Sequence, residues 1–293
     1  MNRVILNVDT GIDDAFAMIL LKQYNITPEF IVASSGNSLL ENTYRNTAGV
    51  AKLLDFDCPV YHGSARPLIK PHYYENFHGD NGLGSYKFND TVLEKDHHNG
   101  IIKMYEALKR EKHTIICTSP LTSLGILMRL DNSIKENIEQ IIIMGGAFGI
   151  TPCGKGNMGN AEFNIFYDPE AAKIVMEEDI NETIVPLDVT MNRELAIKSI
   201  PPNSSGSPLE DFIHKTTKFM IEEHGSFEMH DPIAVFSFIE PDAFEFVNGE
   251  ITVKTDGTTE FIEKRGGKKK VATGINSEAY RKGLVDRIYG NLA

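Results

Sequence analysis

Short apolar runs alternate with longer segments of helical periodicity along most of the chain. The strand-like runs are Val4 to Val8, Phe30 to Ser34, Val60 to Tyr61, Thr114 to Cys117, Ile141 to Met144 and Thr183 to Val185. The helix-like segments are Asp13 to Lys22, Glu41 to Leu54, Gly100 to Arg110, Leu121 to Leu130 and Pro169 to Glu177. This alternation predicts an α/β fold of the Rossmann-like kind, with a mostly parallel central sheet flanked by helices.

The pattern changes beyond Pro241, where alternating residues are interrupted by turn-like segments at Val247 to Glu250 and Thr255 to Gly257. This pattern predicts a small antiparallel β excursion, that is, a few antiparallel strands late in the chain, followed by a final helix from about Ser277. No internal repeat, low-complexity tract or linker marks a boundary, so we expect a single domain over residues 1–293.

Composition and charge narrow the class of protein. The chain has 293 residues, 41% of them hydrophobic, and can bury a large core. Its formal net charge of −12 argues against partners rich in phosphate, so we expect neither nucleic-acid nor membrane binding. The three cysteines, Cys58, Cys117 and Cys153, lack metal-ligand spacing. The apolar run after Arg3 is too short for a signal peptide, and a reducing cytoplasm is the expected location.

Three acids crowd the end of the first predicted strand: Asp9, Asp13 and Asp14. Any one acid here is explained by the preference of a helix N-terminus for negative charge and capping oxygens. Three acids together with Asn7 in one turn favour a different interpretation, because crowded carboxylates repel unless a cation neutralises them. Oxygen-only ligands favour Ca²⁺ or Mg²⁺ over zinc.

Polar residues also follow the second to fifth apolar runs. In open α/β sheets ligands bind outside the carboxyl ends of the strands, so these residues are expected at one rim. They lie in Ser35 to Asn37, His78 to Gly84, Thr118 to Thr122, Gly145-Gly146 and Asn160 to Asn164. Carboxylates, amides and one or two histidines at a rim suit a polyhydroxylated ligand, because each sugar hydroxyl needs both an acceptor and a donor.

These residues resemble the calcium-dependent, inosine-uridine-preferring nucleoside hydrolases, which cleave the N-glycosidic bond of ribonucleosides. Asp9-Thr10-Gly11-Ile12-Asp13-Asp14 is similar to the family signature Asp-Pro-Gly-x-Asp-Asp. Further blocks follow in the family's order: Gly36-Asn37, His78-Gly79, Pro120-Leu121-Thr122, Met144-Gly145-Gly146, Asn160 to Asn164 and His230-Asp231-Pro232. Each block alone is a weak signal, whereas the ordered set is specific.

The resemblance implies a Ca²⁺ ion held by the carboxylates of Asp9, Asp14 and Asp231 and by the main-chain carbonyl of Thr122, with ribose hydroxyls and water completing the shell. It also implies residues that hold the sugar. These are Asp13, Asn37, Met144, Asn160, Glu162 and Asn164. The implied partner is a small ribonucleoside, and the implied assembly is a homodimer or homotetramer.

Catalytic roles are implied in the same way. Asp9 would take the proton from the attacking water, with inversion at the anomeric carbon, and His230 would protonate the leaving base. An imidazole titrates near neutral pH and suits that second role. His78 would lie on the side of the base.

Two features depart from the family pattern. Asn7 replaces the usual first acid and Thr10 the usual proline, so the hydrogen bonds behind Asp9 are expected to differ. The segment before His230 lacks the tyrosine that commonly lines the base pocket, and either His224 or Phe227 could replace it.

Two alternatives remain open. One is a nucleoside- or ribose-binding homologue without catalysis, which would keep the sugar site. The other is a haloacid-dehalogenase-like phosphohydrolase, suggested by the segment Asn7 to Thr10; Asn7 would then occupy the nucleophile position, where an amide cannot form an aspartyl-phosphate.

Overall fold

Nine strands form one sheet in the computed structural model, which describes residues 3–73, 76–84, 86–88, 99–203 and 206–290. The strands are β1 (Val4–Val8), β2 (Phe30–Ala33), β3 (Val60–His62), β4 (His113–Cys117), β5 (Ile138–Met144), β6 (Glu182–Val185), β7 (Phe244–Val253), β8 (Thr259–Glu263) and β9 (Lys269–Ile275). Their order is β3-β2-β1-β4-β5-β6-β9-β7-β8. The pairs from β3 to β9 are parallel, and β7 pairs antiparallel with both β9 and β8. The predicted fold class is confirmed.

Helices cover both faces of this sheet. They are α1 (Ile12–Gln23), α2 (Leu40–Leu53), α3 (Gly100–Arg110), α4 (Thr122–Leu130), α5 (Phe163–Tyr167), α6 (Pro169–Met176), α7 (Leu187–Thr190), α8 (Pro208–His224), α9 (His230–Ile239), α10 (Ser277–Tyr280) and α11 (Asp286–Tyr289). Short 3-10 turns lie at Asn132–Asn137 and Pro241–Ala243, and a π-helical turn lies at Arg281–Val285. None of the helices in the described residues is both long and apolar enough to cross a bilayer.

Successive side chains of β1 point to opposite faces of the sheet, and the core accordingly has one layer on each face. Leu6 and Val8 pack with α1 and α9 on one face, whereas Ile5 packs with α3, α4 and α6 on the other. Helix α1 is apolar on nearly every side and buried from Ile12 to Leu21, because it lies between the sheet and the helices of the C-terminal half. Burial on this scale holds the N-terminus of α1 in a fixed position.

Strand β1 lies at the point where the chain reverses direction across the sheet. From β1 the chain moves outward to β2 and β3, and it then returns to β4 on the other side of β1. A crevice opens at such a switch point, at the carboxyl ends of the strands. The polar residues after β1, β2, β4 and β5 therefore face one another across it.

The late antiparallel excursion is confirmed, but the first of its two predicted turns is wrong. Val247 to Glu250 lies inside β7, which pairs with β9 through its first half and with β8 through its second. Gly249 is the residue shared by both partners, and a Cβ there would lie 2.3 Å from the carbonyl oxygen of Ile262. Tertiary pairing on both sides thus keeps an Asn-Gly pair extended. The second turn is confirmed, with Gly257 at φ +88°.

Candidate functional site

Four carboxylates meet where two helix N-termini converge. Asp9 follows β1, Asp13 and Asp14 lie in the first turn of α1, and Asp231 lies in the first turn of α9. Because α1 packs along α9, the two N-termini meet although they are distant in the sequence. All four residues are buried, and Asp13, Asp14 and Asp231 each offer an oxygen within 4.8 Å of the others.

Asp14 is held by hydrogen bonds to both of its oxygens. The Thr118 hydroxyl donates to Oδ1 at 2.7 Å, while the Gly11 N–H and the Asn37 amide donate to Oδ2 at 2.9 Å and 3.2 Å. Burial, reinforced by the charge of Asp13, nevertheless raises the pKa of Asp14 from 3.8 to about 6. The donors orient this carboxylate without neutralising it.

Asp9 and Asp13 each retain an oxygen without a hydrogen bond. The Asn37 N–H donates to Asp9 Oδ2 at 2.6 Å, but Asp9 Oδ1 is buried and unpartnered among the described residues. Asp13 Oδ1 also lacks a hydrogen bond and lies 3.6 Å from His78 Nε2. Burial, then the charge of Asp14, raises the pKa of Asp9 well above its usual value. Gly36 permits the close approach to Asp9, since a Cβ there would lie 2.0 Å from Oδ2.

This donor set fits a hard divalent cation. Buried carboxylates that repel one another and carry unpartnered oxygens lower their energy when a cation binds them, and oxygen-only ligands suit Ca²⁺ or Mg²⁺. Thr122, the fourth expected ligand, is buried as the first residue of α4. Its hydroxyl donates to Asp168 Oδ2 at 2.7 Å, and Asp168 caps α6.

A cavity of about 780 Å³ opens above the carboxylates, a size typical of small-molecule sites. The expected site residues that line it are Asp13, Asn37, His78, Met144, Glu162, Asn164, His230 and Asp231. Asp9 and Asp14 do not line the cavity but are linked to its wall through hydrogen bonds with Asn37. Asn160 is exposed and is not part of the lining, whereas Asn157 on the same loop is. The sequence analysis missed Asn157.

Glu162 and Asn164 form the wall at the start of α5. The N–H groups of Gly146, Asn164 and Ile165 donate to the Glu162 carboxylate at 2.8–3.2 Å, so the side chain is fixed. Burial raises the pKa of Glu162 to about 7 in spite of these donors. The Asn164 amide donates to the carbonyls of Thr118 and Met144 at 2.9 Å and 3.2 Å, which leaves its oxygen for a ligand hydroxyl.

Two of the histidines that line the cavity, His78 and His230, lie close to the carboxylates. His230 Nδ1 lies 2.7 Å from the Thr190 hydroxyl, and burial lowers the pKa of His230 while the charge of Asp13 opposes this. His78 Nδ1 accepts from the Ile12 N–H at 3.3 Å, which leaves the proton on Nε2, facing Asp13. Burial lowers the pKa of His78 to about 4, so this ring is neutral at neutral pH.

The structure distinguishes the two possible replacements for the missing tyrosine. His224 lines the cavity and stacks on Phe77, with ring centroids 4.0 Å apart and planes at 14°. Phe227 is fully buried and packs edge-on against Phe16 at 5.0 Å. Of these two candidates, His224 is therefore the one that faces the cavity.

The departures at Asn7 and Thr10 are accommodated away from the cavity. The Asn7 amide donates to the Val32 carbonyl and to the Ser34 hydroxyl at 3.0 Å and 2.9 Å. The Thr10 and Thr47 hydroxyls lie 2.6 Å apart. Both side chains are buried with hydrogen-bond partners, so neither substitution leaves a buried polar group unpaired.

Residues 4–282 match the family described as inosine-uridine preferring nucleoside hydrolase. The chain is 30% identical over 270 residues to a pyrimidine-specific ribonucleoside hydrolase, RihA, of Escherichia fergusonii, covering 87% of this chain and 85% of that protein. A purine-preferring ribonucleoside hydrolase from Gardnerella vaginalis is 25% identical, with a TM-score of 0.86 over 99% of this chain and 98% of that one. A plant nucleoside hydrolase, 23% identical, has the same fold, with a TM-score of 0.86 over 99% of both chains.

Proposed function

The chain belongs to the inosine-uridine preferring nucleoside hydrolase family and is a ribonucleoside hydrolase, and from this premise we propose how its residues divide the work. Asp9, Asp14, Asp231 and the Thr122 carbonyl would hold a Ca²⁺ ion, Asp9 would accept the proton of the attacking water, and His230 would protonate the leaving base. The single observation that carries the proposal is the convergence of four buried carboxylates beneath a cavity of about 780 Å³.

The cation supplies, when bound, the Lewis acidity that makes water a better nucleophile and fixes its position. The protein supplies the geometry. Asp14 is oriented by Thr118 and Gly11, and the free oxygen of Asp9 remains available to a proton. Asp13 has a carboxylate oxygen within 4.8 Å of oxygens of both Asp14 and Asp231. It can therefore either bind a sugar hydroxyl or serve as a further oxygen ligand of the cation.

The sugar is bound by groups on the cavity wall. Asn37, Glu162 and Asn164 present fixed amide and carboxylate groups, and Met144 offers an apolar surface to the ring. Holding the ribose by its hydroxyls lowers the entropic cost of reaching the reacting geometry. Preorganised carboxylates stabilise the positive charge that develops on the sugar as the bond to the base breaks.

The leaving base departs towards His230, His224 and Phe77. The hydrogen bond between His230 Nδ1 and the Thr190 hydroxyl orients the ring, and a positioned imidazole can deliver a proton to the departing nitrogen. The base specificity of the named relatives differs, one being pyrimidine-specific and another purine-preferring. We therefore propose ribonucleosides as the substrate class without choosing between the two kinds of base.

A panel assay tests this proposal. The protein is incubated with purine and pyrimidine ribonucleosides and with a phosphate monoester, in the presence of Ca²⁺, and released sugar and phosphate are measured. We expect free ribose and base without phosphate. The Asp9→Ala variant should fold but release no sugar, and turnover equal to the wild type would refute the assignment of Asp9.

A further inference from the structure

Two cationic side chains line the cavity at the end where the base departs. Arg193 and Lys198 are both exposed, and both belong to the cavity lining. Among the described residues, neither has a carboxylate oxygen within 4.0 Å of its charged nitrogens. A neutral nucleoside held by hydroxyl-binding groups has no need of two free positive charges, so these side chains require their own explanation.

Two contacts place the segment that carries these cations at the leaving-group end. At its start, Thr190 bonds to His230 through their side chains. At its other end, Ile197 and Phe227 exchange two backbone hydrogen bonds of 2.9 Å, which holds Lys198 beside the segment that leads to His230. The sugar-binding groups, in contrast, lie at the ends of the sheet strands and at the start of α5.

Acidic surroundings make Arg193 and Lys198 the part of the cavity that attracts anions. The other titratable lining is mainly acidic, with Asp13, Glu162 and Asp231 at the floor and walls, and the whole chain has a net charge of −12. The acidic Glu228 also lines the cavity; it accepts from the Ser226 hydroxyl at 2.8 Å, and its negative charge acts to raise the pKa of His230. An anionic group would therefore be repelled by the carboxylates of this cavity and attracted by Arg193 and Lys198, the lysine and arginine side chains among the described lining residues.

We propose that Arg193 and Lys198 are specificity-determining residues that favour ribonucleosides whose base carries a negative charge, such as a 2,6-dioxopurine. This proposal rests on the proposed hydrolase function and names the substrate class of the same cavity. The cations also suit the products, because a base that leaves with the electron pair of the glycosidic bond gains negative charge next to them.

The expected size of the preference for a charged base follows from the solvent exposure of the two side chains. An exposed ion pair changes affinity by about 2- to 5-fold, so two such pairs give a preference on the order of 10-fold. Because the charges are exposed to solvent, salt should weaken the preference.

The test is made at neutral pH and compares xanthosine, whose base is acidic enough to be charged there, with inosine, which lacks the second oxo group and is neutral there. In the R193Q/K198Q variant, kcat/KM for xanthosine should fall on the order of 10-fold while that for inosine stays within about twofold. Added NaCl should reduce the ratio of kcat/KM for xanthosine to kcat/KM for inosine in the wild type and leave this ratio unchanged in the variant. The matched control, R129Q/K112Q, removes two positive charges outside the cavity and should preserve the wild-type ratio.

Three results would overturn the proposal. The first is an equal ratio of kcat/KM for xanthosine to kcat/KM for inosine in the wild type and in R193Q/K198Q. The second is an equal loss for both nucleosides, which would indicate a structural role. The third is loss of inosine 5′-monophosphate turnover with xanthosine unaffected, which would place the anion at the sugar end. If no nucleoside is turned over, equilibrium binding of both nucleosides to the wild type and to R193Q/K198Q still tests the charge preference, so that outcome would refute the hydrolase proposal alone.

Discussion

Substituting Asp14 by Asn should stabilise the metal-free protein and abolish its stabilisation by Ca²⁺. The amide can keep most of the local hydrogen bonds. Its oxygen can take the place of Oδ2, which accepts from Gly11 and Asn37, and its NH₂ can face the Thr118 hydroxyl, which rotates to accept. What the substitution removes is the buried negative charge.

The magnitude comes from the pKa of Asp14, which burial and the charge of Asp13 raise from 3.8 to about 6. A carboxyl whose pKa is higher in the folded state favours folding while it is protonated. Stability is therefore lost as pH rises from about 4 through about 6, and the loss of about two pKa units corresponds to about 3 kcal/mol. Allowing about 1 kcal/mol for weakened hydrogen bonds, the variant should gain about 2 kcal/mol above neutral pH.

The assay is thermal unfolding at about pH 5 and about pH 8, with EDTA or with Ca²⁺. In EDTA at the higher pH, the variant should unfold about 4–8 °C above the wild type, and at the lower pH the difference should shrink. Ca²⁺ at about 100 times its dissociation constant should stabilise the wild type by about 2.7 kcal/mol and the variant much less.

Asp188→Asn serves as the control, because Asp188 accepts from the N–H groups of Phe148 and Thr151 and does not belong to the carboxylate cluster. It should be destabilised to the same extent with and without Ca²⁺. The reasoning is refuted if Asp14→Asn is the less stable protein in EDTA at about pH 8, or if Ca²⁺ leaves the wild-type melting temperature unchanged.

Five further substitutions test the cavity and the segments around it. His230→Ala should lower kcat by about 10²- to 10⁴-fold with little change in melting temperature, and a kcat close to that of the wild type would exclude it as the general acid. His224→Ala should alter KM and base preference while the fold stays intact, whereas Phe227→Ala should cost about 3–5 kcal/mol of stability, as measured by urea unfolding. Asn157→Ala should raise KM and Asn160→Ala should not; steady-state kinetics showing the reverse would contradict the lining observed here.

Local sequence determined the parts of this protein that depend on neighbouring residues. The alternation of apolar runs and helical periods was sufficient to predict the parallel sheet, and the bounds of β1 and α3 agree with the prediction to the residue. The acids that follow β1 must lie near its carboxyl end, because a strand and the turn after it leave little freedom.

Tertiary structure decided the contacts between distant segments. Asp231 joins Asp13 and Asp14 only because α1 and α9 pack together, which the residues around Asp231 alone do not encode. In segments without periodicity, the sequence likewise did not determine which side chains face the cavity. The path of each loop places His224 and not Phe227, and Asn157 and not Asn160, on the cavity wall. The physical reason is the same in each case: local propensity governs short-range geometry, whereas packing across the core determines which side chains finally face the cavity.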